Sequence, residues 1–115
     1  MNTTDDLIQR LQGIAGEGHV LTDTAATRPY RTGYRSGSGE LAAVVHPGTL
    51  VELWQCTRAA IEAGAVIVPQ AANTGLTEGS TPKDTYDRPA VAINAMRIKG
   101  LQLLGDADQA IALPG

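Results

Sequence analysis

The sequence predicts an α+β fold: a small mixed sheet with one βαβ unit, two main helices and a C-terminal β-hairpin. Three observations carry this reading. Two Val-rich apolar runs, residues 41–45 and 65–69, are joined by an amphipathic helical pattern with short links, as expected of two parallel strands and their crossover helix. A second helical pattern opens the chain at residues 3–15. Near the end, apolar runs at 101–104 and 109–113 flank Gly105-Asp106-Ala107-Asp108, a turn composition that implies a hairpin. The 115 residues, 43% hydrophobic, suffice for one small domain spanning 1–115.

The elements follow in order. Thr3 and Thr4 supply hydroxyl caps, and Asp5 and Asp6 place acids at the positive end of the first helix dipole. Leu7, Leu11, Ile14 and Ala15 share one face, and Gly16 and Gly18 end the helix. Residues 19–21 form a short extended piece. Residues 22–40 show no periodicity, and TRPYRTGYRSGSGE (27–40) reads as an irregular loop. The 41–45 run, between Gly39 and Pro47, is a buried strand. Thr49 and Glu52 form a capping box for the second main helix. Its apolar stripe is Leu50, Leu53, Trp54, Thr57, Ala60 and Ile61, with Trp54 expected to cover the sheet, and Gly64 closes it at C′. After the 65–69 strand, residues 70–90 return to loop, and 91–94 form a third strand.

Composition excludes several classes of function. A formal net charge of −3 gives no general attraction to nucleic acid or anionic lipid. Arg28, Arg31 and Arg35 beside Tyr30 and Tyr34 have the chemistry of RNA stacking, but three arginines in an acidic chain do not make a nucleic-acid surface. The single Cys56 cannot form an internal disulfide, fits a reducing compartment, and reads as a small apolar filler. With no Cys/His cluster, no metal is expected. His46, before Pro47, and His19 read as structural. The first ten residues are too polar for a secretory signal and no apolar run spans a bilayer, so any membrane role is peripheral. Only Pro114 and Gly115 follow the apolar 110–113 run, so the chain reads as a piece of something longer.

Residues 71–82, AANTGLTEGSTP, carry the chemistry. They directly follow a buried strand, at the strand end where α/β sheets bind ligands. Small side chains let a ligand approach the backbone, successive amides can form an anion-binding nest, and Asn73, Thr74 and Ser80 offer side-chain donors. With no Lys or Arg between 71 and 82, a diphosphate here would be held by neutral dipoles. On composition alone a plain surface loop is the favoured reading. Two other phosphate motifs fail. Gly75-Leu76-Thr77-Glu78-Gly79-Ser80 lacks the P-loop lysine, and Gly37-Ser38-Gly39-Glu40-Leu41-Ala42 spells the dinucleotide fingerprint in the wrong context, before a strand instead of after one.

The order of motifs from 41 to 115 resembles the vanillyl-alcohol-oxidase-type (PCMH-type) FAD-binding domain. Val44-Val45-His46-Pro47, the helix with Glu52, Val66-Ile67-Val68-Pro69, Met96-Arg97-Ile98-Lys99-Gly100-Leu101 and Ala112-Leu113-Pro114-Gly115 each match a landmark of that family. The loop Gln70-Ala71-Ala72-Asn73-Thr74-Gly75 departs from the common Arg-Gly-x-Gly-Thr form. The departure resembles one branch, the bacterial quinone-dependent D-lactate dehydrogenases, as do YRTGYRSGSGE (30–40), Leu21-Thr22-Asp23 and PGTLVELW (47–54). The resemblance implies that residues 1–115 are the N-terminal portion of an FAD-binding domain. Ala71, Ala72, Asn73, Thr74, Gly75, Gly79 and Ser80 would contact FAD. The parent would oxidise D-lactate to pyruvate by hydride transfer to FAD and pass electrons to quinone, as a cytoplasmic enzyme peripheral to the inner membrane. The rest of the FAD domain, the cap domain and the membrane-associating region would lie beyond Gly115, and no catalytic residue is assigned here. Arg31 or Arg35 approaching a carboxylate or the diphosphate is a minor possibility within that reading.

Two other functions stay open on the residues alone. One is a stand-alone small-molecule or anion-binding module. The other is an inactive truncated fragment that self-associates as a homo-oligomer through an exposed sheet edge.

Overall fold

A computed structural model describes residues 3–34, 37–75, 77–83 and 86–115. The element order is α1 (Thr3–Ala15), a 3-10 turn (Glu17–His19), β1 (Val20–Leu21), α2 (Thr24–Arg31), β2 (Ala43–Val45), α3 (Leu50–Glu62), β3 (Val66–Gln70), β4 (Ala90–Asn94), β5 (Leu101–Leu104) and β6 (Gln109–Ala112). The main sheet runs β1-β2-β4-β3, and β5 and β6 form a second, two-stranded sheet. The expected α+β class, βαβ unit and terminal hairpin are therefore present.

β2 and β3 are parallel, as the crossover requires, but they do not touch. β4 inserts between them and pairs in parallel with both, Val44 opposite Ala92 and Val68 opposite Ala92 on its two sides. β1 adds antiparallel at one edge, Val20 opposite Val45, and β3 forms the other edge. Along β3 the bonds Val66 N–H to Pro89 O and Ala95 N–H to Gln70 O put the even-numbered residues on the β4 ladder. Pro69, which has no N–H, thus takes a position turned to the open edge, where proline is tolerated.

The sheet is covered on both faces, which is why its strands read as continuous apolar runs without alternation. Ala43, Val45, Val91 and Ile93 pack with Leu7, Leu11 and Ala15 of α1 and Cys56 and Ala59 of α3. Val44, Val68, Ala90 and Ala92 face the other way, with Leu41, Tyr30 and Tyr86 against them.

α3 carries the capping box expected of it. Thr49 Oγ1 accepts from the Glu52 amide at 3.1 Å, and Glu52 Oε1 accepts from the Gly48 amide at 2.9 Å. Gly64 closes it with φ +73°, a left-handed conformation that glycine adopts without penalty.

Two expectations are corrected. Trp54 is not core: it is 58% exposed, as are Leu50 and Ile61 at 52% and 64%. The face of α3 turned to the sheet is instead the small one, Cys56, Ala59 and Ala60, because small side chains let the helix lie close to the strands. The Trp54 ring lies outside under the Arg58 guanidinium, 5.6 Å away. Residues 22–40 are also not wholly irregular, since they contain α2. Asp23 caps it, its Oδ2 accepting from Ala25 N at 3.0 Å and Ala26 N at 3.1 Å. The glycines of the Gly37-x-Gly39 motif serve packing. A Cβ on Gly39 would strike the Pro82 carbonyl, and one on Gly37, at φ +87°, would strike the Glu78 carboxylate.

Candidate functional site

The loop expected to hold a ligand leaves β3 at its C-terminal end, beside the C-terminal end of β4 and the last turn of α2. Parallel strands make this the end where chain and helix termini converge around open space.

Gln70 and Asn94 close β3 and β4 side by side and are 4% and 1% exposed. Gln70 Nε2 donates to Tyr30 O at 2.6 Å and to Ser80 O at 2.8 Å. Asn94 Nδ2 donates to Ala71 O at 3.2 Å and to Gln70 Oε1 at 3.4 Å, and its Oδ1 accepts from the Met96 amide at 3.0 Å. Asn73 sits at φ +58°, a left-handed conformation that asparagine tolerates better than most residues. Its Nδ2 donates to Thr32 O at 2.8 Å and Pro29 O at 3.4 Å, and its Oδ1 accepts from Ser80 Oγ at 2.7 Å. The Pro29, Tyr30 and Thr32 carbonyls belong to the C-terminal end of α2, where helix carbonyls lack intrahelical partners. The side-chain amides of Gln70 and Asn73 supply those partners.

Of the residues expected to contact a ligand, Ala71, Ala72, Thr74, Gly75 and Gly79 are exposed, while Asn73 and Ser80 are partly buried. Asn73 and Ser80 point their polar groups into the loop and are not outward donors, a role the sequence alone did not reveal. The polar groups left unengaged are those of the backbone. Among the described residues, the amides of Ala71, Ala72, Asn73, Thr74, Gly75 and Gly79 donate to no protein group. A Cβ on Gly75 would meet nothing within 4 Å, so the fold leaves room there for an approaching ligand. Leu76 lies outside the described residues. Thr81, 4% exposed, closes the loop with its N–H on Glu78 O at 3.1 Å, and its hydroxyl has no protein partner.

Bordering the loop is an apolar hollow of about 510 Å³ between α3 and β3, lined chiefly by Leu53, Ile67, Pro69, Ala71, Ile93 and Pro114. On the other side of the loop stands His46, at the end of β2. Its ring meets Tyr30 edge to face at 5.0 Å, and Arg97 Nη1 donates to its carbonyl at 2.6 Å. Burial, then His19 and Arg97 nearby, lower its pKa. Arg31 folds back along α2, its Nη2 on Thr24 O at 2.9 Å and its Nε on Thr27 Oγ1 at 3.2 Å, so its guanidinium is engaged by its own helix. Arg35 lies outside the described residues. Cys56 is fully buried in the core, the filler expected, and burial followed by the charge of Glu52 raises its pKa to about 11. Among the described residues no group of His, Cys, Asp and Glu is arranged to hold a metal ion, and no helix is long and apolar enough to cross a membrane.

No protein-family model matches the chain. Curated proteins do. The chain is 48% identical to the quinone-dependent D-lactate dehydrogenase of Haemophilus influenzae over 98% of its own length, and 48% identical to that of Escherichia coli over 100%. It is 46% identical to that of Corynebacterium glutamicum over 98%. In each case it spans only about a fifth of the relative, 20%, 21% and 20%. Among solved structures, it superposes on p-cresol methylhydroxylase with a TM-score of 0.75 at 16% identity, over 98% of this chain and 22% of that one. On alkyldihydroxyacetonephosphate synthase the TM-score is 0.72 at 15% identity, over 88% of this chain and 20% of that one. The fold is thus the one the PCMH-type resemblance implied, and over nearly its whole length the chain is similar to about one fifth of the quinone-dependent D-lactate dehydrogenases.

Proposed function

We propose that residues 1–115 form the FAD diphosphate-binding segment of a flavoprotein that oxidises D-lactate to pyruvate and passes electrons to quinone. The carrying observation is the row of unengaged backbone amides at 71–75 and 79, held on a loop at the C-terminal ends of parallel strands. Successive neutral N–H dipoles left without a protein partner suit an anion. The adjoining apolar hollow suits an uncharged ring. FAD carries both chemistries, and when bound it supplies the acceptor for the hydride from lactate. The residues that would hold it are Ala71, Ala72, Thr74, Gly75 and Gly79 through their backbone, with Asn73 and Ser80 setting the loop's shape. The substrate and the quinone come from the names of the relatives. The chain spans about a fifth of those relatives, and no lactate, quinone or membrane site is assigned to its residues.

The test is a titration of the chain with FAD, followed by flavin fluorescence, beside a Gly75→Asp variant. Gly75 has negative φ and open space, so the fold accepts the side chain. A carboxylate about 4 Å from a diphosphate oxygen costs on the order of 1–4 kcal/mol, so affinity should fall roughly tenfold or more. Equal affinity in the variant would remove the loop from the cofactor site.

A further inference from the structure

We infer that Gln70, Asn94 and Asn73 are positioning residues, a set of inward-facing amides that fixes the anion-accepting shape of the loop before any ligand arrives. The inference rests on the diphosphate reading above, and it concerns how that site is made and not what it binds.

The geometry is specific. Gln70 reaches the far end of the loop at Ser80 O, Tyr30 O on α2, and Asn94 on the neighbouring strand. Asn94 holds the near end at Ala71 O. Asn73 joins the middle to Thr32 O and to Ser80 Oγ. These three side chains engage the carbonyls at both ends of the loop and those of the adjoining helix. The side-chain bonds therefore replace the backbone ladder that would otherwise order the segment, and leave the amides of 71–75 unengaged. An anion that binds such a loop need not supply the entropy of ordering it, on the order of 1–2 kcal/mol per residue fixed.

The sequence adds a reason for neutral amides. Gln70 occupies the place that the common family loop gives to Arg. It is 4% exposed, and its Oε1 receives a bond from Asn94 that a guanidinium, having only donors, cannot accept. In this chain the residue is built for bracing between strands, not for charge.

The experiment is 15N relaxation on the ligand-free chain, read at Ala72, Asn73, Thr74 and Gly75. In the unsubstituted chain these residues should show the order of a rigid backbone, about 0.85. Gln70→Met keeps the volume of the side chain and removes its hydrogen bonds. It should lower the loop's order below about 0.6 while Val91, Ala92 and Ile93 on β4 stay unchanged, and should weaken FAD binding at least tenfold. A loss confined to the loop is the signature that a general loss of stability would not give. Should Gln70→Met not fold, Asn73→Asp serves, because aspartate also tolerates the positive φ and lacks the Nδ2 donor that reaches Thr32 O and Pro29 O. Loop order that persists in a folded Gln70→Met or Asn73→Asp protein overturns the inference. So does a disordered loop in the unsubstituted chain. An unsubstituted chain that is ordered at 72–75, loses that order in the variants and binds no FAD supports the brace and overturns the cofactor reading, so the two failures are distinct.

Discussion

The 71–80 loop and the β5–β6 hairpin both lie outside the core, and they are built in opposite ways. In the hairpin the backbone is engaged: Leu101 to Leu104 pair with Ala112 to Gln109 in antiparallel register, and Leu113 N–H continues the pairing to Gly100 O at 2.9 Å. Its side chains are left over, with Leu101 69%, Leu103 60% and Ile111 52% exposed. In the loop the amide side chains are engaged and the backbone is left over. A free backbone amide recognises an anion, and a free apolar side chain recognises another apolar surface. The contrast therefore separates a ligand-binding region from a surface suited to packing.

Neither region holds the fold together, and the largest expected effect shows this. Leu11 is 0% exposed between α1 and the sheet, whereas Leu103 is 60% exposed. Leu11→Ala should cost about 2–5 kcal/mol, and Leu103→Ala about 0.5 kcal/mol or less. Urea denaturation of both variants measures the difference. A cost for Leu103→Ala comparable to that of Leu11→Ala would mean that the hairpin is part of the core and that the contrast is misdrawn.

The contrast also shows what the sequence could and could not reveal. The hairpin was legible because it is local: two apolar runs around a turn. α3 was legible because its signals are local too, Thr49 with Glu52 at one end and Gly64 at the other. The identity of the loop was legible from QAANTGLTEGSTP as a resemblance, but its construction was not. Asn73 reads in sequence as an outward donor. That it faces Thr32 depends on α2, and α2 was hidden. α2 has a single buried residue, Thr27, so it has no apolar stripe, and it contains Pro29. It is held by the Asp23 cap and by bonds from residues some 40 positions away. The outward placing of Trp54 was missed for a related reason. Apolar periodicity marks the larger side chains, while the close approach of α3 to the sheet selects Cys56, Ala59 and Ala60.

A middle-sized effect tests the two regions at the same backbone conformation. Ala107 in the hairpin turn has φ +68°, and Asn73 in the loop has φ +58°. A left-handed residue costs roughly 1–2 kcal/mol, and glycine avoids that cost while adding unfolded-state entropy of about 0.5–1 kcal/mol. Ala107 has no side-chain bond to lose, so Ala107→Gly should be neutral to stabilising by about 1 kcal/mol. Asn73→Gly gains the same relief but loses its side-chain hydrogen bonds, each contributing about 0.5–1.5 kcal/mol, and should destabilise. Denaturation midpoints give both signs. The same sign at the two positions would show that the Asn73 side chain contributes nothing to holding the loop.

The smallest expected effect is a dependence on pH at the end of the sheet where the loop begins. His46 packs its ring against Tyr30, whose carbonyl receives Gln70, and burial together with His19 and Arg97 disfavours its charged form. Its folded pKa therefore lies below the ordinary value of 6.5, which the unfolded chain keeps. As pH falls through 6.5 the unfolded chain takes up the proton first, so the stability contributed by a neutral His46 is complete above that pH and is lost on acidification towards the folded value. His46→Gln cannot titrate, so its urea midpoint should fall less than that of the parent between about pH 7.5 and pH 5.5. Because Tyr30 links the ring to the brace, relaxation at Ala72–Gly75 over the same range should show the parent losing loop order as His46 charges, and the variant keeping it. Parallel pH profiles for the two proteins would uncouple His46 from the loop and leave the brace dependent on its amides alone.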